Sequence, residues 1–256
     1  LFFFFFYLPE IYENTIRPVI GFLSTASKFA ASIGLLFLLG QPFRAMWTQI
    51  MPLLLDIVIL SLVWGALSAL HQSNVKRLLA LSGVVHAAFI TAGILFSHMV
   101  SSALPAAVFY FLVYVPAIFL FLYCLTEVNP TDPTFDGLRN SHLRTPNYAI
   151  LMALAIGSMA GLPPLGGFIA KFMMLYNTLA VGHWFLLGAM VLASVLGLYY
   201  YLSLAFGIIG RQGHQAVVPA PIDTRTPVST LIICTLMTCM ILILGFFQGN
   251  LGSLFK

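Results

Sequence analysis

Hydrophobic residues run along this chain in long blocks, without the two-residue alternation of strands, and the blocks have membrane length. Apolar stretches at 18–39, 52–71, 76–97, 103–125, 147–180, 183–208 and 228–248 predict seven membrane helices, because a bilayer core demands about 20 consecutive apolar residues. Pro18 suits the first turn of the first helix. Ser73 or Asn74 can cap the third, and Pro146 with nearby polar residues opens the fifth. The fifth is anomalous. At about 34 residues it is half again too long for one crossing, and Gly161-Leu-Pro-Pro-Leu-Gly-Gly167 interrupts its centre. Pro163 and Pro164 withdraw backbone donors there, while Gly161, Gly166 and Gly167 loosen the helix around them.

Composition excludes a water-soluble domain: 61% of the residues are hydrophobic and 7% charged, against roughly a quarter charged in soluble proteins. The fold class is therefore all-α, a polytopic membrane bundle of about seven transmembrane helices, one of them broken. The net charge of +4 could suggest nucleic acid, but the basic residues punctuate loops without clustering, so no nucleic-acid partner is expected. Loop charge reports orientation instead. If the fifth stretch crosses once, one side receives Arg17, Lys76, Arg77, Arg139, Arg144, Arg211 and Arg225 and the other Arg44 and Lys256, seven against two. Counting two crossings gives six against three, so one broken crossing is preferred. The segment before Pro18 then faces the matrix or cytoplasm, and the carboxy terminus faces outward.

Leu1–Tyr7 is apolar but has no basic flank or cleavage site, which argues against a signal peptide. It reads as the end of a preceding helix whose start is absent. The polar stretch from Glu127 to Pro146 reads as an exposed loop. Cys124, Cys234 and Cys239 sit in apolar runs without metal-ligand spacing, so no metal site is expected.

The few charges inside the blocks carry the chemistry. Lys28 lies about ten residues from either end of its helix, some 15 Å each way, beyond the reach of a lysine stem of about 6 Å. An ionised group at that depth costs about 3 kcal/mol on insertion scales, so Lys28 faces either a wet path or an ion-pair partner inside protein. Lys171 follows the glycine pair by four residues. A helix break beside an ionisable group is a recurring ion-site design in transporters; the alternative is a proline kink with an incidental lysine. Lys76 either belongs to the same relay or marks the basic end of its helix, and Arg77 is assigned to topology. His86 lies ten residues beyond Lys76, about 15 Å and roughly 280° away, so water would have to bridge the two. Asp56 fits an interfacial place as well as a functional one. Together these groups supply a proton relay, since burial makes an amine able to give up its proton near neutral pH and imidazole does so unaided.

Leu8-Pro-Glu-Ile-Tyr12 with Pro18-Val-Ile-Gly-Phe-Leu-Ser-Thr-Ala-Ser-Lys28, Gln72-Ser-Asn-Val-Lys-Arg-Leu-Leu-Ala80 with Ser82 and His86, and Gly161-Leu-Pro-Pro-Leu-Gly-Gly-Phe-Ile-Ala-Lys-Phe172 resemble the antiporter-like N subunit (subunit 2 in mitochondria) of respiratory complex I, over about Leu8 to Tyr201. Lys171-Phe172, where the two larger related subunits have Lys-Asp or a glutamate, favours the N subunit. The resemblance implies Lys28 and Lys171 on a mid-membrane polar axis, connected by Lys76 and His86, with Lys171 towards the outer side. It implies a subunit of a proton-translocating NADH:ubiquinone reductase in the mitochondrial inner membrane, ahead of the bacterial plasma membrane. No redox centre or cofactor is expected in this chain; flavin, iron–sulfur clusters and quinone are expected in other subunits. Expected partners are the other membrane subunits, neighbouring antiporter-like subunits among them, and lipids.

The family has fourteen helices in two inverted repeats. Against that plan, 1–17 is the end of a truncated helix and a matrix-side loop, 18–51 the last helix of the first repeat, 52–208 the second repeat, and 209–256 a loop and final helix. A separate chain is expected to supply the missing first-repeat helices. Two other readings remain open, a cation/proton antiporter component and a structural fragment that conducts nothing.

Overall fold

Backbone groups in hydrocarbon must pair within their own segment, which leaves the helix as the structure for long apolar runs. The computed structural model describes residues 6–128, 134–139, 141–210 and 228–246, with Arg144 and 228–231 described by backbone alone. Among them are ten α-helices: α1 (Leu8–Asn14), α2 (Arg17–Gly40), α3 (Trp47–Ala69), α4 (Val75–Leu95), α5 (Ala103–Val128), α6 (Ser141–Arg144), α7 (Pro146–Ala160), α8 (Gly166–Val181), α9 (Trp184–Ile209) and α10 (Val228–Phe246). Five segments are long and apolar enough to cross a membrane, Arg17–Gly40, Arg44–Ala69, Val75–His98, Ala103–Val128 and Trp184–Ile209.

Local signals place the ends. Proline occupies the first turn of α1, α2 and α7, where no intrahelical donor is lost. Asn74, one of the two expected caps, accepts from the Lys76 amide at 2.9 Å. Gly161 ends α7 in the left-handed region at φ 86°, a conformation that glycine adopts without strain.

Two buried clusters show how the helices run. One joins Ile20 of α2, Val75–Leu81 of α4, Tyr114–Val128 of α5, Tyr148–Ala160 of α7 and Tyr200–Ile208 of α9. The other joins Leu39, Val85–Phe96, Ala103–Val113, Ile169–Met174 of α8 and Leu186–Ala193. So α7 lies along the carboxy-terminal half of α5 and α8 along its amino-terminal half, and the Ser102–Asn177 hydrogen bond of 2.7 Å ties the far ends together. That is one antiparallel crossing in two pieces. At 15 and 16 residues each piece rises only about 23 Å, too little to span alone. With α10, the bundle makes seven crossings. Arg17, Lys76, Arg77 and Arg139 share one end of it and Arg44 lies at the other; Arg211, Arg225 and Lys256, which also entered the charge count, lie outside the described residues.

Two expectations are corrected. Leu8–Tyr12 is helical, because Leu8, Ile11 and Tyr12 lie three and four apart and dock on the first cluster. The stretch after Glu127 is not simply exposed: Leu138, Ser141 and Thr145 are buried, and Phe135 donates its amide to Ser73 at 3.0 Å, so the segment folds back over the cluster. Of Leu1–Tyr7, residues 1–5 lie outside the described residues, and Phe6 and Tyr7 form an exposed turn ahead of α1. The three cysteines are free, with Cys239 exposed and the others buried.

Candidate functional site

Three polar residues occupy the middle of long apolar helices: Lys28 is twelfth of the 24 in α2, His86 twelfth of the 21 in α4 and Tyr114 twelfth of the 26 in α5. Because the helices run alternately up and down, mid-helix positions meet at one depth. Lys28 Nζ donates to the Tyr114 hydroxyl at 3.0 Å and lies 4.7 Å from the centre of that ring, a favourable cation–π distance. The His86 ring follows, 4.7 Å from Tyr114 between centroids. Its two nitrogens meet hydroxyls, Nδ1 at 2.8 Å from Tyr110 and Nε2 at 3.3 Å from Tyr201. A hydroxyl both donates and accepts, so each of these contacts can pass a proton in either direction. On the side of α1, the Tyr12 hydroxyl lies 3.0 Å from Ser24 Oγ, one helical turn before Lys28.

Lys171 closes the row. The α7 helix ends at Ala160, and the Lys171 ammonium reaches back across the break to donate to the Ala160 carbonyl at 2.7 Å. A cation there also meets the negative end of the α7 dipole. The break is held by contact: a Cβ on Gly167 would collide with the Ser158 carbonyl, so α8 begins against the last turn of α7 only because that residue lacks a side chain. Pro163 and Pro164, joined by a cis peptide, occupy the corner between the halves. Lys171 is 9% exposed and His86 4%, so the apolar bundle shields both from solvent.

Of the residues expected from sequence, Lys28, His86 and Lys171 are brought into one row and Lys76 is not. Lys76 Nζ donates to the carbonyls of Glu13 and Thr15 at 3.1 and 2.9 Å, clasping the turn between α1 and α2, where Arg77 also meets Glu13 at 3.5 Å. Asp56 is exposed on α3, tenth of its 23 residues, well inside the helix and not at the interfacial end expected for it. The sequence reading missed Tyr110, Tyr114 and Tyr201. The available signal was Tyr110 and Tyr114 four residues apart at the centre of α5, far from the membrane ends where tyrosine usually gathers. Among the described residues no group of acidic, histidine or cysteine side chains could hold a metal.

Residues 1–197 match the family "NADH:quinone oxidoreductase/Mrp antiporter, TM". The chain is 34% identical to NADH-quinone oxidoreductase subunit N 1 of Opitutus terrae over 96% of its own length and 50% of the relative's. It is 31% identical to NADH-quinone oxidoreductase subunit 14 of Thermus thermophilus, over 88% of this chain and 49% of that one. Its fold matches a chain of respiratory complex I from Thermus thermophilus with bound aureothin, at TM-score 0.77 and 29% identity, covering 95% of this chain and 52% of that one. It also matches a chain of the Mrp complex from Dietzia, at TM-score 0.80 and 18% identity over 95% and 53%, which is a likeness of fold alone. The chain spans about half the length of the curated relatives it matches. Matched over most of its length, by sequence and by fold, it belongs to the NADH:quinone oxidoreductase/Mrp antiporter transmembrane family, among the N-subunit-like members.

Proposed function

We propose that this chain carries protons through a membrane as part of an NADH:quinone oxidoreductase, along the row Lys28–Tyr114–His86–Lys171. The observation that carries the reading is that row itself. Titratable groups are placed at mid-depth in a bundle with few charges, Lys28 and His86 each bonded to tyrosine hydroxyls at 2.8 to 3.3 Å, and the row ends at a broken helix. Each mid-membrane amine costs about 3 kcal/mol to bury, a cost that a bundle built for packing alone would avoid. Lys76 stands at the aqueous edge, and Lys171 is taken as the end nearer the outer side.

Electron transfer lies elsewhere on this reading. Flavin, iron–sulfur and quinone chemistry belongs to other subunits, and this chain answers to it mechanically or electrostatically. Its partners are the other membrane subunits of such a complex, neighbouring antiporter-like subunits among them, and lipids. The membrane is one that holds a respiratory chain. The mitochondrial inner membrane is the expectation from resemblance, and the bacterial sources of the relatives above give weight to a bacterial plasma membrane. The family description also covers Mrp antiporters, so a cation/proton antiporter component is the second reading.

The test is proton translocation in vesicles that contain the assembled complex. Lys28→Met is expected to lower translocation several-fold per assembled complex, and the chain is expected to copurify with flavin and iron–sulfur proteins. Unchanged translocation in Lys28→Met would overturn the relay. Copurification with antiporter subunits and no redox proteins would move the chain to the second reading.

A further inference from the structure

Two steps of the row lack a direct hydrogen bond among the described residues: Tyr114 and His86 meet through their rings, 4.7 Å between centroids, and the second step lies at Lys171. His86 and Lys171 share no hydrogen bond, and a narrow cavity separates them, lined by His86, Tyr110, Tyr114, Ser158, Gly167 and Lys171 among others. It has room for about one water molecule.

Ser158, on that lining, is unusual among the membrane hydroxyls. Serine and threonine in a helix normally bond the carbonyl four residues back, as Thr25, Ser61, Thr91, Thr178 and Ser194 do at 2.6 to 2.9 Å. Ser158 Oγ is buried and has no hydrogen-bond partner among the described residues. A buried hydroxyl without a partner is costly, and in native structures it marks a bound water or ion. The Lys171 ammonium has three donors, and among the described residues it uses one on Ala160.

We propose that this cavity is a water-binding site, that Ser158 holds the water there, and that the water completes the relay between Lys171 and His86. The proposal rests on the proton-relay reading for its function, though the site itself does not. A proton passes from the Lys171 ammonium to the water. The water passes its own proton to the Tyr110 hydroxyl, and the phenol's proton moves to His86 Nδ1, 2.8 Å away. Water and phenol end as they began, Lys171 is left a neutral amine, and His86 carries the charge. Ser158 changes no bond. It is a positioning residue that supplies the water's remaining hydrogen bond from the wall of α7.

Two measurements on the intact complex test this. The first is a cryo-EM map fine enough to show ordered water. Density within hydrogen-bond distance of Ser158 Oγ and Lys171 Nζ is expected in the wild type and its loss in Ser158→Val, whose side chain fills the space. The second is proton translocation per assembled complex. Loss of one hydrogen bond lowers occupancy about fivefold, so Ser158→Ala should translocate about fivefold more slowly, and Ser158→Thr, which restores a hydroxyl, should recover most of it. A wild-type map without that density overturns the site whatever the pumping data show. Wild-type translocation by Ser158→Ala, in a preparation where Lys28→Met is impaired, overturns the water's role while leaving the relay intact. If Lys28→Met is also unimpaired, the relay reading fails, and the density alone decides the water site. Should Ser158→Val fail to assemble, the wild-type map and the Ser158→Ala and Ser158→Thr rates still decide.

Discussion

Replacing Lys171 by methionine tests the site because the proposed relay adds a second, separable duty to the one the structure shows. One is structural: its ammonium bonds the Ala160 carbonyl at 2.7 Å, satisfying a backbone acceptor that the Pro163–Pro164 corner cannot. A hydrogen bond from a charged donor contributes about 1.5–3 kcal/mol, and a cation at a partly buried helix end adds up to about 2 kcal/mol. Against this, methionine spares the burial of an amine and keeps the volume of the stem. The net expectation for Lys171→Met is a loss of about 1–3 kcal/mol, within what a well-packed bundle survives. The other duty, on the proposed relay, is proton exchange, which methionine removes entirely. Lys171→Arg separates the two, because guanidinium keeps the charge and the carbonyl bond but does not release its proton. Thermal unfolding of the purified complex and proton translocation in vesicles, normalised to assembled complex, read the duties independently. Lys171→Met should be less stable and several-fold slower, and Lys171→Arg close to normal in stability yet still slow. Wild-type translocation by Lys171→Met, or full activity in Lys171→Arg, would refute the second duty and leave Lys171 a helix-end cap.

Gly167→Ala should reduce assembled protein, since its Cβ would strike the Ser158 carbonyl and overpacking costs about 1–3 kcal/mol; Gly188→Ala, with open space around it, should not, and blue-native gels compare them. Tyr114→Phe keeps the ring beside His86 but strands the Lys28 amine, so translocation should fall several-fold with assembly unchanged; an unchanged rate would mean that Lys28 has another outlet. A cysteine in place of the exposed Arg139, in a Cys239→Ser background, should react with a membrane-impermeant maleimide only from the matrix or cytoplasmic face. Labelling from the outer face would invert the topology.

The helices were legible because each apolar block is long enough to have a single solution in lipid, and the structural ends of α2, α4 and α9 fall within a residue or two of the blocks. The break in the fifth block was legible for the same reason, being too long for one crossing and carrying two prolines. What sequence could not supply was the company each charge keeps. Lys76 and Lys28 look alike in one dimension, yet Lys76 is turned to the carbonyls of Glu13 and Thr15 and Lys28 to Tyr114. Which way a stem turns depends on the helix opposite, and no local pattern encodes it. The tyrosines were overlooked because a phenol in an apolar run counts as hydrophobic until its hydroxyl finds a partner. The α1 helix was missed because seven residues are too few for a periodic signal, and its stability comes from docking.

The shared depth of the row bears on how the chain meets an electric field. Lys28, His86 and Tyr114 sit at the midpoints of antiparallel helices, so the line joining them runs parallel to the membrane plane. Moving one charge across a full membrane against 100 mV takes about 2.3 kcal/mol, but a charge moving sideways at constant depth crosses almost none of that drop. On the proposed relay, transfer between Lys28 and His86 is thus nearly blind to voltage. The whole electrical work falls on the two limbs that join the row to the water on either side, and whatever gates those limbs sets the voltage against which the chain can operate.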